Sequence, residues 1–357
     1  AIYAKGLGLP DRDYYVADDP RKQENRERYV DHVEQMFRLL GQDEPAARSN
    51  AANVMRIETA LAKASLTLVE QRDPNNVYHR KSLGELEQLV PALNWKDLFG
   101  ATGLSSEPWL NIVQPVFMKE LQSLIEREAL EDIKAYLTWG LINSTASLLS
   151  APFRDQDFAF YSAYLEGIDE QKPRWRTCVT LIDNQLGEAL GKEFVDRNFP
   201  PEVRGQVKRM SQQIHAAMEE RIDKLAWMST ETRQQAREKL AKMRDKIGYP
   251  DQWRDYSSIE IDRGDFIGNV FRATHFDLAR QMARIGKPVD RSEWFMTPAT
   301  VNAYYNPSMN DINFPAGVLM PPLYDPKMDD APNYGNTGGT IGHELVHGFD
   351  DEGRQYD

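Results

Sequence analysis

The sequence is poor in cysteine and contains no long apolar run. Cys178 is the only cysteine among 357 residues, so no disulfide can form within the chain and a disulfide scaffold is excluded. A single cysteine fits the cytoplasm, the periplasm or a bacterial exterior equally well. No uninterrupted apolar stretch approaches about 20 residues, which predicts that this sequence contains no membrane segment. Low-complexity tracts are also missing, which excludes collagen-like repeats and extended disorder.

Positive charge is scarce relative to negative charge. The 43 lysine and arginine residues are outnumbered by 55 aspartate and glutamate residues, which gives a net charge of -12. A chain of this charge repels phosphate backbones and anionic lipid headgroups. We therefore expect no nucleic acid among its partners.

The chain is long enough, and at 41% hydrophobic residues apolar enough, to bury a sizeable core in about two domains. Apolar residues recur at helical spacing through most of the first 250 residues, which predicts a mainly α-helical scaffold. The clearest helix begins after the N-cap Asp19 with Pro20, and Gly41 ends it about 20 residues later. The last helical stripe before the turn-rich string at 248–251 is formed by Ala236, Leu240, Met243 and Ile247. That string is the best candidate for a domain boundary.

Beyond residue 290 the residue pattern changes from helical periodicity to short segments typical of strands and turns. Residues 300–305 are rich in β-branched and aromatic side chains, residues 306–308 form a turn signal, and residues 311–314 read as a return strand. This pattern predicts a short β-hairpin. A glycine-rich stretch at 335–342 then leads into the string His-Glu-Leu-Val-His at 343–347.

The His-Glu-x-x-His motif predicts a zinc site. Two imidazoles four residues apart lie one above the other on a helix, so His343 and His347 can both donate a nitrogen to one zinc ion. Glu344 would act as general base towards a zinc-activated water that attacks a peptide carbonyl. On a helical projection these three side chains share one arc with Asp350, while apolar residues occupy the opposite face. That segregation disfavours the competing interpretation, a surface helix whose histidines only face solvent.

Two histidines do not complete a catalytic zinc site, which ordinarily has three protein ligands and a water. The longer metzincin pattern needs glycine at position 350 and histidine at position 353, where this chain has Asp350 and Gly353. Glu352 is too near the motif to swing back comfortably, so we expect a third ligand from outside this chain. Asp350 is open to two interpretations: it fixes the tautomer of a ligand imidazole, or it is an ordinary solvated carboxylate at a helix end.

The segment Asn302-Ala303-Tyr304 suits a peptide-binding strand. An exposed strand edge pairs with an extended substrate backbone, and an asparagine side chain offers both a donor and an acceptor to that backbone. Without a zinc motif nearby, the same hairpin would be interpreted as plain structure.

Motifs that carry a family resemblance lie both near the zinc motif and far from it. Near it they are VNAYY at 301–305, NDINFPAGVL at 310–319, NYG at 333–335 and IGHELVHGFDD at 341–351. Far from it they are GLGLPDRDYY at 6–15, WMSTETRQQAREK at 227–239 and IGYP at 247–250. Together these motifs, which span nearly the whole chain, resemble the neprilysin and endothelin-converting-enzyme family of zinc metallopeptidases.

The resemblance implies a role for each motif residue. His343 and His347 match the zinc-binding histidines and Glu344 the catalytic glutamate, while Asn302 and Ala303 match residues that hold the substrate backbone. The family's third zinc ligand is a glutamate in a Glu-x-x-x-Asp motif on a later helix, which has no counterpart here. Members are mostly endopeptidases that cut oligopeptides on the amino side of hydrophobic residues.

The resemblance also implies a mainly α fold. Residues 1–250 would form a large helical lobe enclosing the substrate cavity, and residues 251–357 the first part of a thermolysin-like zincin catalytic lobe with a short β-hairpin. Because the chain stops 10 residues after His347, at Asp357, we expect it to be a piece of a longer precursor. A second fragment of that precursor would then be a partner that completes the active site. Bacterial members suggest a periplasmic or secreted location, with the cytoplasm as the alternative.

Two other functions stay open. One is an unrelated metallohydrolase that uses the same zinc helix, which the upstream motifs disfavour. The other is an inactive scaffold that binds zinc or peptide but lacks the third zinc ligand.

Overall fold

A computed structural model describes residues 1–101 and 109–356, and Asp357 lies outside the described residues. The fold is mainly α, as predicted. The helices are α1 (Asp13–Val16), α2 (Pro20–Leu39), α3 (Glu44–Lys63), α4 (Pro74–Val77), α5 (Leu83–Leu89), α6 (Trp95–Ala101), α7 (Pro115–Arg127), α8 (Leu130–Thr145), α9 (Ala151–Asp157), α10 (Arg174–Asn198), α11 (Pro201–Lys224), α12 (Thr230–Lys242), α13 (Phe266–Met282), α14 (Asp330–Asn333) and α15 (Gly339–His347). The strands are β1 (Arg80–Lys81), β2 (Leu110–Asn111), β3 (Arg244–Gly248), β4 (Tyr304–Asn306) and β5 (Asp311–Pro315).

The chain divides into two compact units, Ala1–Lys172 and Pro173–Asp357. The predicted division into lobes at residue 250 falls within the second unit, and as a statement about lobes it stays a prediction.

Local signals place helix α2 where the sequence predicts it. The Asp19 side chain accepts a hydrogen bond from the backbone N–H of Lys22, and Pro20 occupies the first helical position. Gly41 follows the helix with a φ of 91°, in the left-handed region that favours glycine. The predicted 20-residue helix is confirmed.

The first unit is built around a buried carboxylate. Helices α2 and α3 pack together, and Glu58 of α3 is only 1% exposed. Its carboxylate accepts hydrogen bonds from the hydroxyls of Tyr15 and Tyr29 and from the indole N–H of Trp139. These donors pair with carboxyl oxygens that burial would otherwise leave without hydrogen-bond partners.

The N-terminal GLGLPD segment lies against this cluster. Tyr15 accepts a hydrogen bond from the backbone N–H of Leu9, and Tyr161 donates one to the carbonyl of Gly8. A side-chain carbon at Gly8 would lie 1.9 Å from the hydroxyl oxygen of Tyr29. Only glycine therefore lets the backbone approach the tyrosine this closely.

The second unit contains a three-stranded sheet of order β3-β5-β4. Strand β5 is central: β3 pairs with it in parallel and β4 pairs with it antiparallel, so β4 lies at an edge. The predicted hairpin is confirmed, although its first strand begins at Tyr304 instead of residue 300. Helices α11, α12 and α15 contribute to the core beside the sheet, with Ile312 and Phe314 of β5 fully buried.

Strand β3 corrects one helix prediction. The apolar stripe predicts a helix as far as Ile247, but α12 ends at Lys242 and residues 244–248 are extended. Met243 and Ile247 are both buried, and their spacing of four residues fits a helix as well as a strand. Pairing with β5, which is distant in sequence, decided between the two, and spacing within one segment carries no information about that pairing.

Candidate active site

Helix α15 carries the zinc motif and is fixed by its apolar face. A π-helical turn, Tyr334–Gly338, runs directly into it. Ile341 and Leu345 are 0% and 1% exposed and belong to the core of the second unit, whereas His343 is exposed. The predicted packing face is therefore present. The helical projection puts Glu344 on the polar face with the histidines, but its side chain is only 6% exposed and contacts the backbone N–H of Tyr305 in β4.

The two motif histidines converge. Their Nε2 atoms are 3.1 Å apart, and their ring planes are inclined at 83° with centroids 4.6 Å apart. Tetrahedral zinc with nitrogens at about 2.0–2.1 Å separates two such ligand atoms by roughly 3.3 Å. The spacing and the type of the donor atoms in His343 and His347 thus fit two zinc ligands.

Asp350 contacts His347 at Nδ1, the ring nitrogen that does not face His343. Its Oδ2 lies 2.7 Å from Nδ1 of His347, while its Oδ1 accepts hydrogen bonds from the backbone N–H groups of Glu352 and Gly353. Burial opposes ionisation, but the hydrogen bonds from Gly353 and His347 dominate and lower the pKa of Asp350 below its ordinary value. An ionised Asp350 accepts a hydrogen bond from the protonated Nδ1 of His347, which leaves Nε2 of that ring with its lone pair. This contact is the one required by the tautomer-fixing hypothesis; the role itself stays a prediction.

Glu344 lies beside the edge strand. Burial raises the pKa of its carboxyl above the ordinary value, against the opposing effects of His343, His347 and the backbone N–H of Tyr305. That N–H belongs to β4, so the strand itself helps to position the carboxylate. A buried carboxylate with a raised pKa is a better base near neutral pH than a solvated one.

Asn302 and Ala303 immediately precede β4. The Asn302 side chain is exposed, and its Oδ1 accepts a hydrogen bond from the backbone N–H of Ala303 at 2.8 Å, whereas Ala303 is 8% exposed. The next residues of the strand approach Glu344 through Tyr305. The proposed contact of Asn302 and Ala303 with substrate stays a prediction.

Gly353 has a structural role that the sequence analysis missed. A side-chain carbon at this position would lie 1.8 Å from the carbonyl oxygen of His347 and 2.7 Å from the carbonyl carbon of Gly348. The loop after α15 is therefore folded tightly against the end of the helix, with the Gly353 N–H on Asp350. The only signal of this close backbone contact in the sequence is the glycine itself. Glycine is common in loops for other reasons, so its presence alone does not predict the contact.

No third ligand accompanies the histidine pair in the part of the chain that is described. Across residues 1–101 and 109–356, no group of three or more His, Cys, Asp or Glu side chains is arranged to hold a metal ion. Within the same ranges, every helix is either too short or too polar to cross a membrane.

Comparisons with known proteins agree on one family. Two family models, both described as Peptidase family M13, match residues 1–250 and 302–357. Endothelin-converting enzyme 1 of Mus musculus and neprilysin-3 of Drosophila melanogaster are each 34% identical over 99% of this chain and 47% of their own length. The zinc metalloprotease ZMP1 of Mycobacterium tuberculosis, solved with an inhibitor, is 39% identical with a TM-score of 0.92, over 99% of this chain and 53% of that one. The chain thus spans about half the length of these relatives, and nothing in the comparisons supports a separate second fragment.

Proposed function

Because this chain belongs to peptidase family M13, we propose that it forms part of a zinc-dependent endopeptidase that hydrolyses peptide bonds in oligopeptides. The observation that carries the proposal is the convergence of the Nε2 atoms of His343 and His347 at 3.1 Å, beside the buried carboxylate of Glu344. A periplasmic or secreted location belongs to the same proposal and rests on the sequence analysis alone.

The residues present suit a zinc ion. His343 and His347 would hold it through Nε2, and a glutamate from outside the described residues would be the third ligand. When bound, zinc supplies Lewis acidity that polarises a peptide carbonyl and favours ionisation of water. Asp350 keeps the Nδ1 proton of His347 in place, so that its Nε2 stays available as a donor atom.

Glu344 performs the proton transfers in this proposal. Its carboxylate accepts a proton from the water that attacks the peptide carbonyl and passes a proton to the departing amine. The backbone N–H of Tyr305 holds the carboxylate in position. Burial of Glu344 limits its solvation by bulk water.

Edge strand β4 supports the binding of substrate. An extended peptide would lie along the residues that precede and begin β4, with Asn302 and Ala303 contacting its backbone. Backbone pairing is indifferent to side chains, which suits the hydrolysis of varied oligopeptides. The preference for cleavage on the amino side of hydrophobic residues is proposed by analogy with the family alone.

An inactive zinc- or peptide-binding scaffold is the second candidate. It is favoured by the pair of histidines, because residues 1–101 and 109–356 supply no third ligand and two imidazoles alone hold zinc weakly. On this alternative the intact protein binds peptide along β4 but does not hydrolyse it.

The test is Glu344→Gln in the intact protein, assayed with a quenched-fluorescent peptide and by metal analysis. Glutamine keeps the size of the side chain but cannot take a proton, so turnover should fall by about 10³-fold while the zinc content is unchanged. Glu238→Gln, at an exposed position on α12, is the matched control and should keep full activity. Chelation should abolish wild-type activity and added zinc restore it.

Either of two results contradicts the peptidase proposal. One is hydrolysis retained by Glu344→Gln, and the other is activity that is indifferent to chelation. A wild-type protein that binds zinc and peptide but leaves the peptide uncut supports the scaffold instead.

A further inference from the structure

Lys239 of α12 contacts the loop that follows the zinc helix. Its ammonium donates hydrogen bonds to the carbonyl oxygens of Gly353 and Tyr356, at 2.6 and 2.5 Å. Gly353–Gln355 is a short 3₁₀ turn, closed by the backbone N–H of Tyr356, which donates to the carbonyl of Gly353. A carbonyl oxygen has two lone pairs, so this carbonyl can accept the ammonium as well. A lysine ammonium has three donors and a full charge, so it can satisfy two carbonyls at once with charge-assisted hydrogen bonds.

The same loop orients the zinc-binding histidine. Gly353 presents its carbonyl to Lys239 and its N–H to Oδ1 of Asp350, and Oδ2 of Asp350 contacts Nδ1 of His347. The loop cannot move closer to the helix, because Gly353 already lies against the carbonyl oxygen of His347. Position and direction of the Asp350 carboxylate therefore depend on where the Gly353 peptide is held.

Lys239 also contacts the hairpin formed by β4 and β5. Its backbone carbonyl accepts a hydrogen bond from the side-chain amide of Asn310, at 3.0 Å. Asn310 is 7% exposed with a φ of 49°, and its Oδ1 accepts a hydrogen bond from the hydroxyl of Tyr305. One residue of α12 thus touches the loop behind His347 and the turn that joins β4 to β5.

We propose that Lys239 is a positioning residue for the metal site: by fixing the Gly353 peptide it fixes Asp350, and through Asp350 the imidazole of His347. The proposal rests on the proposed zinc function. A positioning role means that Lys239, which lies outside the zinc motif, affects zinc affinity and ligand geometry. A lysine that only attached the loop would affect stability alone.

The experiment measures zinc affinity in the intact protein by competition with a chelator. Lys239→Met removes the charged donor but keeps the apolar stem, and it should raise the zinc dissociation constant about 10-fold. Lys239→Arg still donates to carbonyls and should restore the constant to within about threefold of wild type. Lys242→Met is the matched control, because Lys242 lies in the same last turn of α12 but is exposed.

Two further measurements separate positioning from simple stabilisation. Cobalt(II) in place of zinc reports ligand geometry through its visible absorption, which should change in Lys239→Met and not in Lys242→Met. The Tm of the metal-free proteins reports stability. A Lys239→Met protein with a lowered Tm, an unchanged cobalt spectrum and a zinc dissociation constant within twofold of wild type would overturn the proposal. If wild-type protein itself binds no zinc, the proposed function fails, and this result is distinct from a failure of Lys239.

Discussion

The stability of the first unit in Glu58→Gln, measured relative to wild type, should increase as the pH rises. Burial raises the pKa of this carboxyl from 4.5 to about 7, although hydrogen bonds from Tyr15, Tyr29 and Trp139 oppose the rise. Burial and the neighbouring carboxylate also raise the pKa of both tyrosines, so their hydroxyls stay protonated donors. Between pH 4.5 and about 7, the unfolded chain therefore releases the Glu58 proton while the folded chain keeps it.

The sign and size of the effect follow from this difference in proton binding. Stability falls with pH wherever the folded state binds more protons, so the contribution of Glu58 is greatest below pH 4.5 and is lost as the pH passes about 7. At about 1.4 kcal/mol per pKa unit, a rise from 4.5 to about 7 corresponds to about 3 kcal/mol. Glutamine does not titrate, so the wild type should lose about 3 kcal/mol relative to Glu58→Gln between pH 4 and pH 8.

Hydrogen exchange by mass spectrometry, on peptides from α2 and α3 of the intact protein, measures the free energy of opening of this unit. Comparing two proteins at each pH cancels the contributions of all other titrating groups. Glu44→Gln is the control, because Glu44 is exposed in the first turn of the same helix as Glu58. A difference between wild type and Glu58→Gln that stays constant from pH 4 to pH 8 would refute the reasoning.

Two further predictions concern His32 and Gly353. Burial lowers the pKa of His32 to about 3, so the unfolded chain gains a proton below pH 6.5 that the folded chain does not bind; the wild type should lose about 1.4 kcal/mol per pH unit against His32→Phe from pH 6 downwards, measured by the same exchange experiment. A difference that does not change with pH would contradict this. Gly353→Ala places a carbon where it meets the carbonyl oxygen of His347 and should raise the zinc dissociation constant about 10-fold or more in the chelator competition. Gly339→Ala, where a side-chain carbon meets nothing within 4 Å, should leave it unchanged, and equal affinities in the two variants would show that the loop does not position the site.

Local signals predicted much of the helical fold. The N-cap Asp19, Pro20 and the left-handed Gly41 bound α2 as expected, because caps and turns act through neighbouring backbone groups. The hairpin was also predictable from alternation and a turn, although its first strand is shorter than the pattern. The strand at 244–248 was not predictable, since it depends on parallel pairing with a segment far along the chain.

The candidate site divides in the same way. The spacing predicts that His343 and His347 lie side by side next to Glu344, because one helix fixes their relative positions; their proximity is observed, and their roles stay predictions. For Asp350 the sequence left two interpretations, and the fold of the following loop places its carboxylate on His347. The contacts of Lys239 with that loop could not be predicted from the sequence, because a lysine at the end of an amphipathic helix ordinarily faces solvent.

The sequence by itself determined the pairing of the two histidines, since the helical period brings His343 and His347 to one side whatever surrounds them. It also determined the helical class and the absence of disulfides. Only the tertiary structure decided how these groups are held: Glu344 against β4, Gly353 against the end of α15, and Glu58 buried among its donors. The physical reason is that burial and hydrogen bonding between distant segments set the position and pKa of a group, and neither is encoded in the spacing of residues along one helix.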